Sequence, residues 1–169
     1  MLILETKNLK LHELGPQDAP FIFELLNTSG WIRFIGDRGI KTLEDASNYL
    51  SARLIPSYSQ FGFGFYLVKL KSDRTPVGIC GLVKRASLED VDLGYAFLPA
   101  FEGKGYAIEA SRGVLDYAWK NLKMKRIVAI THTDNIRSIH LLENLGMKRE
   151  KTFVLPGEKV ELFLYSSQP

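Results

Sequence analysis

The spacing of apolar residues changes near Phe61, and the predicted elements change with it. Leu9 and Leu11 alternate with polar neighbours, the period of a short first strand. Gly15-Pro16-Gln17-Asp18 then opens a helix carrying Phe21, Ile22, Leu25 and Leu26. Pro16 stands near its first turn, where the missing N–H costs nothing. Residues 27–30 end this helix, and residues 31–39 read as aromatic, glycine-punctuated and irregular. Thr42 with Asp45 has the form of a helix cap, so a second helix is predicted to run to about Leu54, ahead of Pro56.

From Phe61 the period is two. Phe61, Phe63 and Phe65 alternate onto one face and are expected in the core. Residues 63–71, 76–84 and 91–98 read as three successive antiparallel strands joined by polar turns. A helix follows with Ala107, Ala110, Ser111, Val114, Leu115 and Ala118 at the i, i+3, i+4 spacing of one buried face. Residues 126–131 form a strand, residues 135–145 a short helix closed by Gly146, and residues 147–155 with 159–165 a last hairpin. No repeat or linker interrupts the order. Residues 1–169 are therefore expected to form one mixed α/β domain, in which a β-meander leads into a β-α-β crossover.

Between the meander and its helix lies FEGKGYA, residues 101–107. A helix N-terminus carries unsatisfied N–H groups and a partial positive charge, which makes it an anion site. Gly103 and Gly105 let the backbone approach a ligand without interference from Cβ atoms, and Lys104 adds a cation. The spacing is neither the nucleoside-triphosphate pattern GxxxxGK[ST] nor the dinucleotide pattern GxGxxG, since Ile108 stands where the third glycine would be. The loop is expected to hold a phosphate-bearing cofactor, with a plain strand–helix turn as the alternative while it is read alone.

Composition narrows the setting. An apolar fraction of 46% and a net charge of +3 are those of an ordinary soluble chain and give no case for direct nucleic-acid binding. The single cysteine, Cys80, sits in an apolar strand and reads as a buried thiol rather than a nucleophile. It excludes an internal disulfide, and with His12, His132 and His140 widely spaced no metal site is expected. No apolar run approaches the ~18 residues of a membrane span, and residues 1–5 do not form a signal peptide, so the expected location is cytoplasmic.

DLGYAFLPAFEGKGYAIEA, followed in order by NIRSIHLLENLGM, closely resembles the acetyl-CoA-binding core of the GNAT superfamily of N-acetyltransferases. The wording is nearest the ribosomal-protein N-acetyltransferase branch. The start TKNLKLH and the GICGL strand extend the resemblance along the chain, with His12 where an arginine is usual. The resemblance implies a mixed, mostly antiparallel sheet of six to seven strands flanked by about four helices, splayed between the fourth and fifth strands. It implies that the backbone at Phe97 and Leu98 pairs with the pantetheine arm and that Gly103, Lys104, Gly105, Tyr106 and Ala107 hold the CoA diphosphate. Asn135 and Ser138 match an NxxS that opens the next helix, where the Asn meets the cofactor or merely caps the helix. Two residues depart from the pattern. Glu102 stands where many relatives have Gln or Arg, and Leu142 replaces a tyrosine that protonates the leaving thiolate.

The implied reaction is direct attack of a neutral amine on the thioester within a ternary complex. Backbone amides near Phe97 suit the oxyanion. Asp92 matches the Glu of the family's EIGY strand and is the preferred base, against a solvated strand-edge carboxylate. Ser138, one turn before Leu142, is the candidate for hydrogen bonding to the thiolate, against a role in capping or cofactor contact. Glu109, His132 and His140 read as structural, and Trp31, Phe34 and Tyr58 as core or as walls of an acceptor pocket. An α-amino group has pKa ~7.7–8.0 and is about a tenth neutral at pH ~7, which favours a protein N-terminus as acceptor over a lysine. The alternatives are a small amine (an aminoglycoside, a polyamine or an amino acid derivative) and a non-catalytic acyl-CoA sensor. The chain is expected as a monomer or homodimer.

Overall fold

In the computed structural model, which describes residues 1–169, eight strands form one sheet in the order β1-β2-β3-β4-β5-β6-β8-β7. They are β1 (Leu2–Glu5), β2 (Leu9–Glu13), β3 (Phe65–Leu70), β4 (Pro76–Val83), β5 (Val91–Phe97), β6 (Ile127–His132), β7 (Lys148–Val154) and β8 (Glu161–Ser167). The helices are α1 (Ala19–Leu26), α2 (Ser29–Phe34), α3 (Leu43–Tyr49), α4 (Pro56–Phe61), α5 (Tyr106–Lys120) and α6 (Ile136–Asn144). Every strand pair is antiparallel except β5 with β6. This is the mixed, mostly antiparallel sheet expected.

The counts exceed expectation for local reasons. β1 is four residues long, too short to show a period, and exists because it pairs with β2, Leu4 against Leu11. α2 occupies the stretch expected to be irregular: the Thr28 hydroxyl caps it by accepting from the Trp31 amide at 3.3 Å, and Trp31 is buried. The second helix does not stop before Pro56. It widens into a π turn over Leu50–Leu54, where the Ile55 N–H reaches the Leu50 carbonyl at 2.9 Å, and Pro56 then starts α4. Phe61 consequently ends α4, exposed, and the expected common strand face does not form: Phe63 precedes β3 and packs with the α5-side core, while Phe65 packs with the α1-side core.

Alternation along the strands feeds two cores. Leu9, Leu11, Val68, Cys80, Leu93 and Phe97 pack against Ala110, Val114, Leu115 and Ala118 of α5 and Leu142 of α6. Leu67, Ile79 and Leu98 pack on the other face against Phe21, Ile22, Leu25 and Leu26 of α1 and Ala46 of α3. The GICGL strand needs Gly81: a Cβ there would sit 2.1 Å from the Gly64 carbonyl oxygen, so only glycine permits the approach of the two backbones.

The β5–β6 seam positions the site. Val91 pairs with Ile127 and Asp92 with Val128, and there the pairing ends. Arg126 locks this end, with Nε 2.8 Å from Asp90 and a terminal nitrogen 2.9 Å from Glu150. Beyond Asp92 the strands part, the splay expected between the fourth and fifth of the strands first foreseen. No helix is long and apolar enough to cross a membrane.

Candidate active site

The splay opens into a cleft of about 1530 Å³, larger than the usual 300–1,000 Å³ of a single small-ligand pocket. Asp92, Phe97, Gly103, Gly105, Ala107, Asn135 and Ser138 line it; Leu98, Lys104 and Tyr106 do not. Trp31 and Phe34 also reach this wall.

The glycine loop has the shape its sequence calls for. Gly103 and Gly105 take φ of +71° and +83°, and no heavy atom lies within 4 Å of where their Cβ atoms would be. Gly105 is the N-cap of the 15-residue α5 without any side-chain cap, and no hydrogen bond is donated by an amide from Gly103 to Ile108. These unspent donors at the positive end of a helix dipole fit a diphosphate. The carboxylate of Glu109 is engaged elsewhere, accepting from the Asn8 amide at 2.7 Å and from Asn8 Nδ2 at 2.8 Å, and so ties α5 to the β1–β2 turn. Burial would raise the Glu109 pKa, but bonds from Thr6 and Asn8 outweigh it and hold the carboxyl below its usual range. Lys104 turns aside, Nζ 5.3 Å from the centre of the Phe101 ring. Glu102 is ion-paired with Arg137 of α6, which neutralises the anion the sequence placed beside the diphosphate loop.

Backbone direction separates Phe97 from Leu98. The Leu98 amide already donates to the Val77 carbonyl at 2.9 Å, and its side chain is buried on the α1 face. In an antiparallel pair alternate residues point their backbone groups to opposite sides, so Tyr95 and Phe97 present theirs to the open seam. Leu98 therefore has no N–H to offer a ligand there, contrary to expectation.

Asp92 is not a solvated edge carboxylate: it is 1% exposed at the last paired position of the seam. Oδ2 accepts from Arg85 Nε at 2.6 Å, while Oδ1 has no partner. Burial pushes its pKa up to about 6, with the Arg85 guanidinium and, more weakly, the nearby Ile130 amide pulling the other way. Trp31 Nε1 and Thr131 Oγ1 are two further buried polar atoms without partners, and both residues line the same cleft. A fourth such atom, His12 Nδ1 on β2, lies away from the cleft.

Asn135 caps α6, its Oδ1 accepting from the Ser138 amide at 3.2 Å. Ser138 Oγ lies 2.6 Å from the hydroxyl of Tyr95, and Leu142, one turn on, is fully buried among apolar neighbours. Sequence reasoning did not single out Tyr95, Arg85, Thr131 or Arg137. Period two along β5 does place Tyr95 on the face opposite Asp92, but only the fold brings α6 to it.

His132 and His140 both border the cleft, and Cys80 lies away from it. Phe34 packs edge-on to His132 at 5.7 Å, and His140 is exposed on α6. Cys80 is buried with its thiol pushed up to about 12 by desolvation. The described residues contain no cluster of His, Cys, Asp or Glu suited to a metal.

Comparison with known proteins identifies the family. The acetyltransferase (GNAT) domain family model matches residues 8–148. The chain is 27% identical over 150 residues to an uncharacterized N-acetyltransferase, YnaD, of Bacillus subtilis, covering 89% of this chain and 85% of that protein. A GNAT-family acetyltransferase structure from Bacillus anthracis superposes with a TM-score of 0.83 at 25% identity, covering 99% and 98% of the two chains. The fold also matches that of a ribosomal L7/L12 alpha-N-protein acetyltransferase in complex with coenzyme A, with a TM-score of 0.84 at 15% identity over 99% and 98% of the chains. The chain belongs to the GNAT acetyltransferase family and is an N-acetyltransferase that draws its acetyl group from acetyl-CoA.

Proposed function

We propose that this enzyme acetylates a primary amine by direct attack in a ternary complex, and that its acceptor is the α-amino group of a protein. The observation that carries the reading is the pairing, in one cleft, of an unspent glycine-and-amide cradle with a buried carboxylate whose second oxygen has no partner. Gly103, Gly105 and Ala107 hold the diphosphate, and the backbone of Phe97 receives the pantetheine arm as an added strand and the oxyanion at its amide. Acetyl-CoA supplies the activated acetyl group.

Asp92 Oδ1 takes the proton that the attacking nitrogen releases, directly or through one water. A base of pKa about 6 is weak against a lysine ammonium but well matched to an α-ammonium of ~7.7–8.0. That match favours a protein N-terminus, and the fold shared with an alpha-N-protein acetyltransferase supports it. Trp31 Nε1 offers the acceptor a donor on the same wall. Ser138 stands at the leaving sulfur. The absence of a membrane-spanning helix and the reduced, buried Cys80 suit a cytoplasmic setting.

Release of CoA thiol, measured across N-terminal peptides, polyamines and aminoglycosides, tests the reading. Peptides are expected to stimulate release most. Asp92→Asn is expected to lose roughly 10²-fold or more in kcat together with the acid limb of the pH profile near 6. Tight acetyl-CoA binding without release by any amine would instead make the protein a sensor, and preferential release by a polyamine would move the acceptor to the small-molecule class.

A further inference from the structure

Tyr95, Ser138 and Thr131 line the same cleft, and the reaction above uses only Ser138. Tyr95 and Ser138 share a 2.6 Å hydrogen bond, and Thr131 comes from the strand across the seam. The position one turn further along α6 is Leu142, fully buried and without a proton to give. We propose that Tyr95 is a positioning residue for the leaving group: its phenol donates to Ser138 Oγ and so turns the serine's own hydrogen toward the departing sulfur.

The direction of the bond follows from the acceptors on offer. Either hydroxyl can donate, but Ser138 Oγ is the only hydrogen-bonding partner of the Tyr95 hydroxyl, whereas the serine also faces the cleft. Burial raises the Tyr95 pKa well above its ordinary value, with Cys80, Asp92 and Tyr165 nearby reinforcing the effect. Tyr95 therefore keeps its proton across the working range. Once the serine oxygen accepts from the phenol, its hydrogen must point elsewhere, and the cleft it lines is the open direction. Transfer requires the carbon–sulfur bond to break with its electron pair left on sulfur, while Asp92 takes the proton from the attacking nitrogen. Ser138 holds the resulting thiolate by one hydrogen bond until solvent protonates it.

This inference rests on the reading of the cleft as an acetyl-transfer site, and its test needs no acceptor. The thiol of bound CoA is titrated through the ultraviolet absorbance of its thiolate in the wild type, in Tyr95→Phe, in Ser138→Ala and in the double variant. Tyr95→Phe is expected to raise the midpoint by about one unit, about a tenfold change in thiolate stability. Ser138→Ala should raise it by as much or more, and the double variant no further than Ser138→Ala alone. In turnover, Tyr95→Phe should lose roughly tenfold in kcat with KM for acetyl-CoA unchanged, and a thioester with a more acidic thiol should recover the loss. An unchanged midpoint in Tyr95→Phe, or additive shifts in the double variant, would overturn the proposal. If Tyr95→Phe fails to fold, an unchanged midpoint in Ser138→Ala does the same. Absence of amine-stimulated release in the wild type would sink the acetyl-transfer reading without touching this titration.

Discussion

The two ends of the β5–β6 seam are built from the same two strands and do opposite things. At the closed end two residue pairs hold the strands parallel, and Arg126 gathers Asp90 and Glu150 around the point where they enter the sheet. At the open end neither strand has a partner on the facing side, although Tyr95 and Phe97 keep their backbone groups turned that way. Unpaired strand backbone is ordinarily a liability. Here it coincides with buried orphan atoms on Asp92, Trp31 and Thr131, all lining one cleft. The difference is that the shut half is tied by ladder bonds and ion pairs, while the open half leaves backbone donors without a partner strand. Asp92 stands at the branch point between them.

Substitutions at each end should therefore separate stability from binding. The largest effect expected is at Asp92, whose folded pKa of about 6 lies above its ordinary value of 3.8. Between those values the folded state binds more protons than the unfolded one, so this group's contribution to stability is full below about pH 4 and lost as pH rises through about 6. Two units correspond to about 3 kcal/mol as an upper figure. Chemical denaturation across this range should show the fall in the wild type and not in Asp92→Asn.

Gly105→Ala comes next and addresses the open end alone. A Cβ there meets nothing in the protein, and the positive φ costs about 1 kcal/mol, so melting should drop only a few degrees. The same Cβ enters the cradle, and calorimetry should find acetyl-CoA affinity down roughly tenfold or more, about 1.4 kcal/mol. Equal losses in both measurements would place Gly105 in the fold rather than in the cradle. Arg126→Ala is the reverse case. Its two ion pairs are about one-third exposed and worth about 1 kcal/mol together, so melting should fall by a few degrees, less at high salt, with kcat unchanged. Glu102→Gln is the mildest. It frees Arg137 beside the diphosphate loop, and affinity should rise a few-fold at low salt, with the gain vanishing as salt is raised.

Residue spacing alone was enough to place most of the ladder, α5 with its buried face, and the glycine loop, because each rests on interactions within a few residues: period two, period 3.6, and the positive φ of Gly103 and Gly105. Where local pattern was too short or contradicted by packing, it misled. β1 needs β2 to exist, α2 needs its Thr28 cap and the burial of Trp31, and the π turn carries a helix past Pro56 and takes Phe61 out of the strand. Asp92 and Ser138 were legible as residue types at the right places in the order, but their chemistry was not. Desolvation of Asp92, its unpaired Oδ1 and the Arg85 contact depend on groups brought together from the β4–β5 connection, β5 and β6. The Tyr95–Ser138 bond spans 43 positions, and the Glu102–Arg137 pair spans 35. Sequence by itself determined which backbone would bend and which faces would be buried, since those are set by φ, ψ and hydrophobicity of near neighbours. Tertiary structure decided which of the distant polar atoms are paired and which are orphaned, because hydrogen bonds and burial are properties of whatever the fold places within three ångströms.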